Sequence, residues 1–414
     1  MHGLNGTMIN AKAALDIVIT DLNKLHPQPL KSCFFSSFCK VLEAYILKPY
    51  CHTLIKHRFR ESVNNVVTNN LSKPQKLHIA LRFSSLGDIV LCSAFFQKLK
   101  HSYPQEKAIL ITHKKFEEIV HSFKEKPKQT WGLDGKSLTF FFETLKRIKL
   151  EYEQNEFQEL IVYDLHGVQK SFFTKTALFF FCLFKKIKYS SSKSPKQTLR
   201  RWLSVKLRKD LLPFRFIYLE HQKLLASSQN FQPKLETNAR NPEIKKILLA
   251  PDSQHWKKKW TLQHWEDFIL KAAVEFPEDD FTLVGGRFVF PQDLLDNLSE
   301  KLGSRLKNRL GNLPLSDLSR IASEHRACIC SNSAWQHIAE AADCPVVSLA
   351  GPIVPGFGFS PWNPRSQELS VPLKCRPCTK HGDGNCSLVG TSFHACMKEI
   401  TPDKVLKSLK EILT

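Results

Sequence analysis

The sequence predicts an α/β protein made of two Rossmann-like halves that face each other across a cleft, and three observations support this prediction. From residue 76 onward, short apolar runs alternate with helical patterns, which is typical of βαβ units and a parallel sheet. A polar stretch with two prolines, residues 230–242, interrupts this alternation before a second series begins. The chain of 414 residues, 42% apolar and 24% charged, is long enough for two domains with full cores.

Residues 1–75 are predicted to form a separate helical extension, which ends in the polar linker Thr68–Pro74. Apolar residues between Phe34 and Ile46 recur at near-helical spacing, with lysines nearby. This pattern fits a helix packed on the main body, and it also fits a basic amphipathic helix lying on acidic lipid. We therefore expect three parts: residues 1–75, a first Rossmann-like domain over 76–235 and a second over 236–414.

The first domain opens with a strand at Leu77–Phe83 and a helix that carries Leu91, Phe95 and Leu99 at i, i+4 spacing. Two further strands are predicted at 108–112 and 160–164. The segment 189–209 is rich in Ser, Lys and Arg and has no clear apolar period, so no element is predicted there.

The second domain has four predicted strands, at 247–250, 281–284, 327–330 and 346–349. Ligands of such sheets bind beyond the carboxyl ends of the strands. The loops that follow strands in both domains are therefore the candidate binding sites.

The composition also limits the partners. Sixty Lys and Arg against 39 Asp and Glu give a net charge of +21, which favours nucleic acid, an anionic membrane surface or a phosphorylated substrate. The sequence contains no helix-turn-helix, RNP or Arg-rich motif, so a basic nucleic-acid-binding protein is the weaker alternative.

No signal peptide is expected, because Lys12 and Asp16 interrupt the only apolar stretch near the start. The longest apolar run, Ala177–Phe184, has eight residues and is too short to span a bilayer. We expect a cytoplasmic protein whose 12 cysteines are mostly reduced, in peripheral contact with the membrane if at all. The Phe-rich segment around Ala177–Phe184, rimmed by lysines, fits a buried core helix or an apolar face beside lipid acyl chains.

Four loops at strand ends carry candidate chemistry. The first contains Ser84, Gly87 and Asp88, where Gly87 allows a tight turn. Asp88 begins a helix, where a carboxylate is favoured, and it is able to take a proton from an attacking hydroxyl or simply to cap the helix. The second loop, Pro251–Trp260, contains Ser253 and three consecutive lysines suited to a diphosphate.

The third loop carries Asn332, Ser333 and His337 at the start of a helix, where exposed backbone amides attract anions. The fourth, Gly351–Gly358, is rich in Gly and Pro and can approach a ligand closely. Gly285 follows another strand and is a weaker feature of the same kind.

Taken in order, these loops resemble those of glycosyltransferase family nine, the ADP-heptose:lipopolysaccharide heptosyltransferases. The matching segments cover roughly residues 76–414 and are Leu81–Val90, Asp164–Gly167 with Ser171, Ala250–Trp260, Val284–Gly286, Ser333 with His337, Gly351-Pro352, Pro361–Pro364 and Cys375–Cys396. The resemblance implies the GT-B architecture, in which the first domain binds a lipid-linked, phosphorylated oligosaccharide and the second binds the nucleotide sugar.

The resemblance also implies roles for the site residues. Asp88 would be the general base of an inverting, metal-independent transfer, in accord with the lack of an Asp-x-Asp motif in the sequence. Lys258, Ser253, Asn332, Ser333, His337, Gly285 and Gly351 would lie on the donor side, and Gly87, Ser84 and His166 on the acceptor side. The family usually has Asp at position 332, Gly at 334 and Gly at 252, whereas this chain has Asn, Ala and Asp. A GT-B-shaped protein that binds nucleotide or glycan without transfer is therefore an alternative function.

A cysteine-rich tail completes the sequence. Cys375, Cys378, Cys386 and Cys396 have spacing compatible with a four-thiolate zinc site, with His381 and His394 as alternative ligands. Four reduced thiols without metal are the other interpretation. We expect no cofactor to be required for catalysis.

Overall fold

Two parallel β-sheets, one in each half, form the framework of the protein. The computed structural model describes residues 76–414 except 196, 238–242, 287–288 and 312. The predicted extension over 1–75, including the helical pattern between Phe34 and Ile46, lies outside the described residues.

The first half holds a five-stranded sheet in the order β3-β2-β1-β4-β5, with every neighbouring pair parallel. Its elements are β1 (Lys76–Leu81), α1 (Leu86–Ser102), β2 (Lys107–His113), α2 (Glu117–Val120), β3 (Gln129–Leu133), α3 (Ser137–Gln154), β4 (Glu159–Asp164), α4 (Gln169–Lys185) and β5 (Lys188–Lys193). Leu81 pairs with Asp164 at the carboxyl end of the sheet, so the loops after β1 and β4 meet there.

The segment 189–209, for which the sequence predicted no element, forms β5 and most of α5 (Thr198–Leu207). β5 is an edge strand whose residues are exposed or half-buried, so no apolar alternation marks it. α5 leaves Leu199 and Trp202 exposed, and among its described residues only Ser204 is fully buried. The short helix α6 (Ile217–Gln222) then packs on α1.

The second half holds a six-stranded parallel sheet in the order β11-β10-β9-β6-β7-β8. Its elements are β6 (Lys246–Ala250), α7 (Leu262–Glu275), β7 (Asp280–Leu283), α8 (Gln292–Leu302), β8 (Leu306–Asn308), α9 (Leu318–Ser323), β9 (Ala327–Ser331), α10 (Ala334–Ala341), β10 (Val346–Leu349), β11 (Gln367–Leu369), α11 (Ala395–Lys398) and α12 (Pro402–Leu413). The four strands predicted in this half are all present.

The two halves share a hydrophobic cluster in which α1 packs against α10. Both sheets belong to one unit, Lys73–Thr414. The domain boundary at 235/236 stays a prediction, since residues 238–242 lie outside the described part.

Helix α4 decides between the two interpretations of the Phe-rich segment. Ala177, Leu178 and Phe180 are at most 3% exposed, and Leu178 and Phe181 pack into the core of the first sheet. The segment is therefore mainly a core helix. Within residues 76–414 as described, no helix is long and apolar enough to cross a membrane.

Candidate functional site

The site is built around Asp88, in the first turn of α1 just beyond the carboxyl end of β1. One carboxylate oxygen, Oδ1, lies 2.7 Å from Nη2 of Arg82. The other, Oδ2, accepts hydrogen bonds from the backbone N–H of Ser85 at 3.1 Å and from its hydroxyl at 2.9 Å. Asp88 thus caps the helix, as one sequence interpretation expected, while a carboxylate retains further lone pairs for a ligand proton.

Arg82 is itself held in place by the loops around it. Its Nε donates to the carbonyl oxygen of Ser84 at 2.9 Å, and Nη1 donates to that of Leu165 at 2.6 Å. The backbone N–H of Phe83 donates to Nδ1 of His166 at 3.3 Å. The acceptor-side residues named from the sequence, Ser84 and His166, therefore support the loop that carries Asp88.

These contacts determine the protonation state of Asp88. Burial raises the pKa of the Asp88 carboxyl, but the charge of Arg82 and the two hydrogen bonds from Ser85 outweigh burial and bring the pKa well below its usual range. Asp88 is therefore ionised at neutral pH, as a group that receives a proton must be.

Lys258 approaches the same place from the second half. Its Nζ lies 3.2 Å from the backbone oxygen of Asn332 and 3.3 Å from Oδ1 of its side chain. Burial lowers the pKa of Lys258 to about 8, and the charge of Asp88 offsets this only in part. The ammonium group thus has neutral oxygens as its hydrogen-bond acceptors, while the nearest opposing charge to influence it belongs to Asp88.

Asn332 has a fixed orientation because its amide nitrogen is also engaged. Nδ2 donates to Oε1 of Gln336 and to the backbone oxygen of Phe359, both at 3.1 Å. Gln336 donates to the same Phe359 oxygen at 2.7 Å and accepts from the hydroxyl of Ser348 at 2.7 Å. The side-chain oxygen of Asn332 therefore faces Lys258, and its amide N–H donates to the carbonyl oxygen of Phe359. A carboxylate at position 332 has no N–H and could not make the second hydrogen bond.

The amino end of α10 contributes two polar groups without partners. Ser333 precedes the helix. Neither its hydroxyl nor Nδ1 of His337 has a hydrogen-bond partner in the described part of the chain, although both atoms are hidden from solvent. The His337 ring stacks on Trp362 at 5.7 Å, and burial lowers its pKa to about 4, so it is neutral at pH 7. A helix of this kind attracts anions at its amino end.

Gly87 allows the two halves to approach this closely. A Cβ atom on Gly87 would lie 2.7 Å from Cδ2 of His337 and 3.2 Å from the Cα of Ala334. Asp88, Lys258 and His337 are mutually within electrostatic range. The structure therefore brings together the residues from the first three loops.

The remaining residues predicted on the donor side are Gly285, Gly351 and Ser253, and the contacts seen at them are with the protein itself. Gly285 has φ +144°, and a Cβ there would press on Asp252, whose Oδ2 accepts from the N–H of Gly286 at 3.0 Å. Gly351 packs against Met397 and the backbone oxygen of Lys257, and Ser253 is buried. None of these contacts assigns a ligand, and the donor roles of Gly285, Gly351 and Ser253 stay predictions.

The cysteine-rich tail covers the lysine loop. Nε2 of His394 is 2.9 Å from the backbone oxygen of Lys257, and Trp256 stacks on Phe393 at 5.7 Å. The four thiols are free, and Cys396 belongs to the hydrophobic core. In the described part of the chain no three His, Cys, Asp or Glu side chains are arranged to hold a metal ion. The zinc site stays a prediction from spacing, and no step is assigned to it.

Three basic residues around the site, His221, Arg201 and Arg215, were not identified from the sequence. His221 is fully buried, and burial lowers its pKa to about 3, with Asp88 and Arg82 among its electrostatic neighbours. Arg201 and Arg215 come from the segment in which no element was predicted or from the loop after it. These residues lie far from Asp88 in sequence and in no recognisable motif, so sequence patterns gave no signal.

Comparison with known proteins shows that the chain is similar to glycosyltransferases of one family. The profile of glycosyltransferase family 9 (heptosyltransferase) matches residues 160–387, more than half of the chain. A lipooligosaccharide heptosyltransferase 2 from Campylobacter jejuni is 26% identical over 176 residues, 41% of this chain and 52% of that protein. The match therefore spans about half the length of this curated relative.

Two solved structures share the fold. The E. coli ADP-heptose lps heptosyltransferase II has a TM-score of 0.58 at 15% identity and covers 82% of this chain and 98% of its own. An E. coli heptosyltransferase, WaaC, was solved with ADP-2-deoxy-2-fluoro heptose. It has a TM-score of 0.55 at 13% identity, and the match covers 81% of this chain and 99% of the WaaC chain. Both match across the two sheets, which confirms the predicted GT-B architecture.

Proposed function

Because the chain belongs to glycosyltransferase family 9, we propose that it transfers a heptose, or a related sugar, from an ADP-linked donor to a lipopolysaccharide core acceptor. The observation that carries this proposal is the juxtaposition of an ionised carboxylate, Asp88, with Lys258 and the amino end of α10. Family membership supports the class of reaction, and this geometry supports the roles of the individual residues.

The proposed reaction is a single displacement. The acceptor hydroxyl attacks the anomeric carbon as its proton passes to Asp88, while the bond from that carbon to the donor diphosphate breaks and the nucleoside diphosphate leaves. Attack opposite the leaving group inverts the anomeric centre. Such a general base typically contributes about 10²–10⁴-fold to the rate.

The donor diphosphate is proposed to bind between Lys258 and the start of α10. Lys258 supplies a positive charge whose hydrogen bonds go only to neutral oxygens, and Ser333 and His337 offer polar atoms that have no protein partner. These groups also stabilise the negative charge that grows on the leaving diphosphate, an effect often worth about 3 kcal/mol per donor. Asn332 is proposed to keep Lys258 aimed at the diphosphate.

The first test is calorimetric titration of the purified protein with ADP, UDP, GDP and CDP. We expect selective binding of ADP, and we expect Lys258→Ala to weaken it about 10- to 100-fold. A preference for another nucleotide would retain the fold and reaction but change the donor. Binding of none of the four would contradict the proposal. ADP binding without transfer, in wild type and Asp88→Ala alike, would favour the non-catalytic alternative, and transfer by Asp88→Ala at the wild-type rate would show that Asp88 is not the base.

We also propose peripheral contact with an anionic membrane through the outer face of α5 and the loop after it. Leu199, Trp202, Leu207 and Phe214 are 45–68% exposed there. Arg200, Lys206 and Lys209 are exposed beside them, and Lys206 lies over the Trp202 ring. Aromatic and apolar side chains framed by cations are suited to an acidic lipid surface, where the acceptor resides.

Cosedimentation with phosphatidylglycerol vesicles tests this surface. Trp202→Ala should weaken binding severalfold, whereas Phe142→Ala, which removes an exposed ring from α3, should not. Equal binding of both variants and wild type would contradict the assignment of the membrane contact to α5.

A further inference from the structure

The chain between Thr198 and Ile217 is here called the α5 segment. It follows the sheet of the first half and contacts the Gly351–Gly358 loop of the second half. The N–H of Gly356 donates to Oδ2 of Asp210 at 3.0 Å, and the N–H of Ile217 donates to the oxygen of Gly358 at 3.1 Å. Leu212 packs with Ile353 and Phe357 in a small separate cluster. These contacts fix the α5 segment at the junction where Asp88 and Lys258 meet.

Arg201 extends from the inner side of this segment. Its Nη2 donates to the backbone oxygen of Phe357 at 2.6 Å, and its guanidinium lies 5.7 Å and 5.6 Å from the rings of Phe357 and Phe359. The Nε atom of Arg201 is hidden from solvent and has no hydrogen-bond partner. The electrostatic neighbours of Arg201 include Arg215, Asp88 and Arg82.

Arg215 lies further along the same segment and is 8% exposed. Neither its Nε nor its Nη1 has a hydrogen-bond partner among the residues that the structure describes. Glu220 attracts Arg215 only at a distance, since no ion pair joins the two and Glu220 binds Lys223 at 2.8 Å. Two neighbouring guanidinium groups thus hold three buried N–H groups without an acceptor.

Stacking and a single carbonyl contact account for the position of Arg201 but not for these free N–H groups. Buried donors of a charged side chain are normally paired, because leaving them unpaired is costly. The acceptor that suits two adjacent guanidinium groups is an anion with several oxygens, a phosphate or a carboxylate, which Arg binds in its planar fork.

We propose that Arg201 and Arg215 bind an anionic group, a phosphate or a carboxylate, of the sugar acceptor beside Asp88. The assignment to the acceptor follows from position, because both arginines come from the first half, whereas Lys258 and α10 come from the second. The inference rests on the proposed function. In this proposal, Arg201 and Arg215 bind the negative charge of the acceptor and so hold the acceptor hydroxyl near Asp88.

The binding test observes the Arg Nε–H groups by NMR in perdeuterated protein saturated with ADP, while inorganic phosphate is added. Arg201→Lys and Arg215→Lys assign the two signals, and the exposed Arg320 on α9 is the internal control. We expect both signals, but not that of Arg320, to shift in a saturable manner. Absence of a shift would overturn the proposal, and a shift seen only without ADP would assign the anion to the donor diphosphate instead.

The kinetic test uses Arg215→Gln with Arg320→Gln as the control, because Arg320 is exposed on α9 and pairs with Asp317 and Glu324. We expect the KM for a phosphorylated or carboxylated acceptor to rise about 10- to 100-fold, with the KM for the donor sugar within about twofold of wild type. Arg215→Lys should recover part of the loss. An unchanged acceptor KM would overturn the proposal.

The two tests separate this inference from the proposed function. If the wild type neither binds ADP nor transfers sugar, the proposed function fails, while phosphate shifts at Arg201 and Arg215 would still show the anion site. If the wild type transfers sugar but phosphate leaves both signals unmoved, the anion site fails and the proposed function stands.

Discussion

Asp88 in the first half and Lys258 in the second carry opposite charges and lie near each other, but they differ in their partners. Asp88 is paired with Arg82 at 2.7 Å and accepts two hydrogen bonds from Ser85. Within the described part of the chain, Lys258 has only the neutral oxygens of Asn332 within hydrogen-bond distance. The carboxylate is thus neutralised and kept ionised by the chain itself, whereas the cation keeps its charge available for an incoming anion.

The largest effect is expected on the carboxylate side of this comparison. Asp88→Asn should reduce transfer by about 10²–10⁴-fold, because the amide cannot take the proton of the acceptor hydroxyl. ADP affinity measured by calorimetry should stay within about twofold of wild type. The control is Asp134→Asn, which alters an exposed carboxylate and should transfer at the normal rate. A strong loss of ADP binding in Asp88→Asn would show that Asp88 organises the donor site instead.

A smaller effect is expected on the cation side. Lys258→Ala should weaken ADP binding about 10- to 100-fold, the usual range for a lost hydrogen bond to a charged group. Lys259→Ala is the matched control, because the neighbouring Lys259 is more exposed and lies 3.5 Å from Asp252. Equal affinities of the two variants would remove Lys258 from the donor site.

We also expect ADP affinity to depend on pH through Lys258 and not through Asp88. Burial lowers the pKa of Lys258 to about 8, so the protonated form that attracts a diphosphate is complete below pH 7 and is lost as the pH rises through 8. ADP affinity should therefore fall roughly tenfold between pH 7 and pH 9. Asp88 and His337 titrate well below this range and should not contribute. A flat profile in wild type, or the same fall in Lys258→Ala, would contradict this assignment.

The smallest effect is expected when the neutral partner of Lys258 is given a charge. Asn332→Asp should pair with Lys258 and weaken ADP binding about 3- to 10-fold, and it should move the fall in affinity to higher pH. The amide donation to the oxygen of Phe359 is lost as well. Asn332→Ser, which adds no charge, separates the two contributions. If Asn332→Asp bound ADP more tightly than wild type, ADP binding would not depend on a Lys258 ammonium group that lacks a carboxylate partner.

The parts of this site that sequence predicted share one property. Asp88, Lys258, Ser333 and His337 each follow a strand of a parallel sheet, and such strands are recognisable because they are buried on both faces and read as continuous apolar runs. The strand positions alone therefore located the loops. The GT-B arrangement and the residue roles came from the resemblance of those loops to a family, and the roles stay predictions.

The parts that were missed depend on contacts between distant segments. Arg201 lies within electrostatic range of both Asp88 and Arg215 because Asp210 and Leu212 of the same segment contact the Gly351–Gly358 loop. No local pattern encodes that contact. Helix α3 is a different case: it was not predicted either, although Phe141, Leu145 and Ile148 recur at a spacing that indicates a helix.

Gly87 constrains how the two halves can diverge in evolution. Since a single added carbon there would meet His337 and the backbone of Ala334, position 87 is coupled to the start of α10 rather than to its own helix. In a screen for restored sugar transfer, suppressors of Gly87→Ala should therefore arise opposite it, at positions 334 or 337 or in the chain that sets their distance. Mutations that merely raise the global stability should not restore transfer.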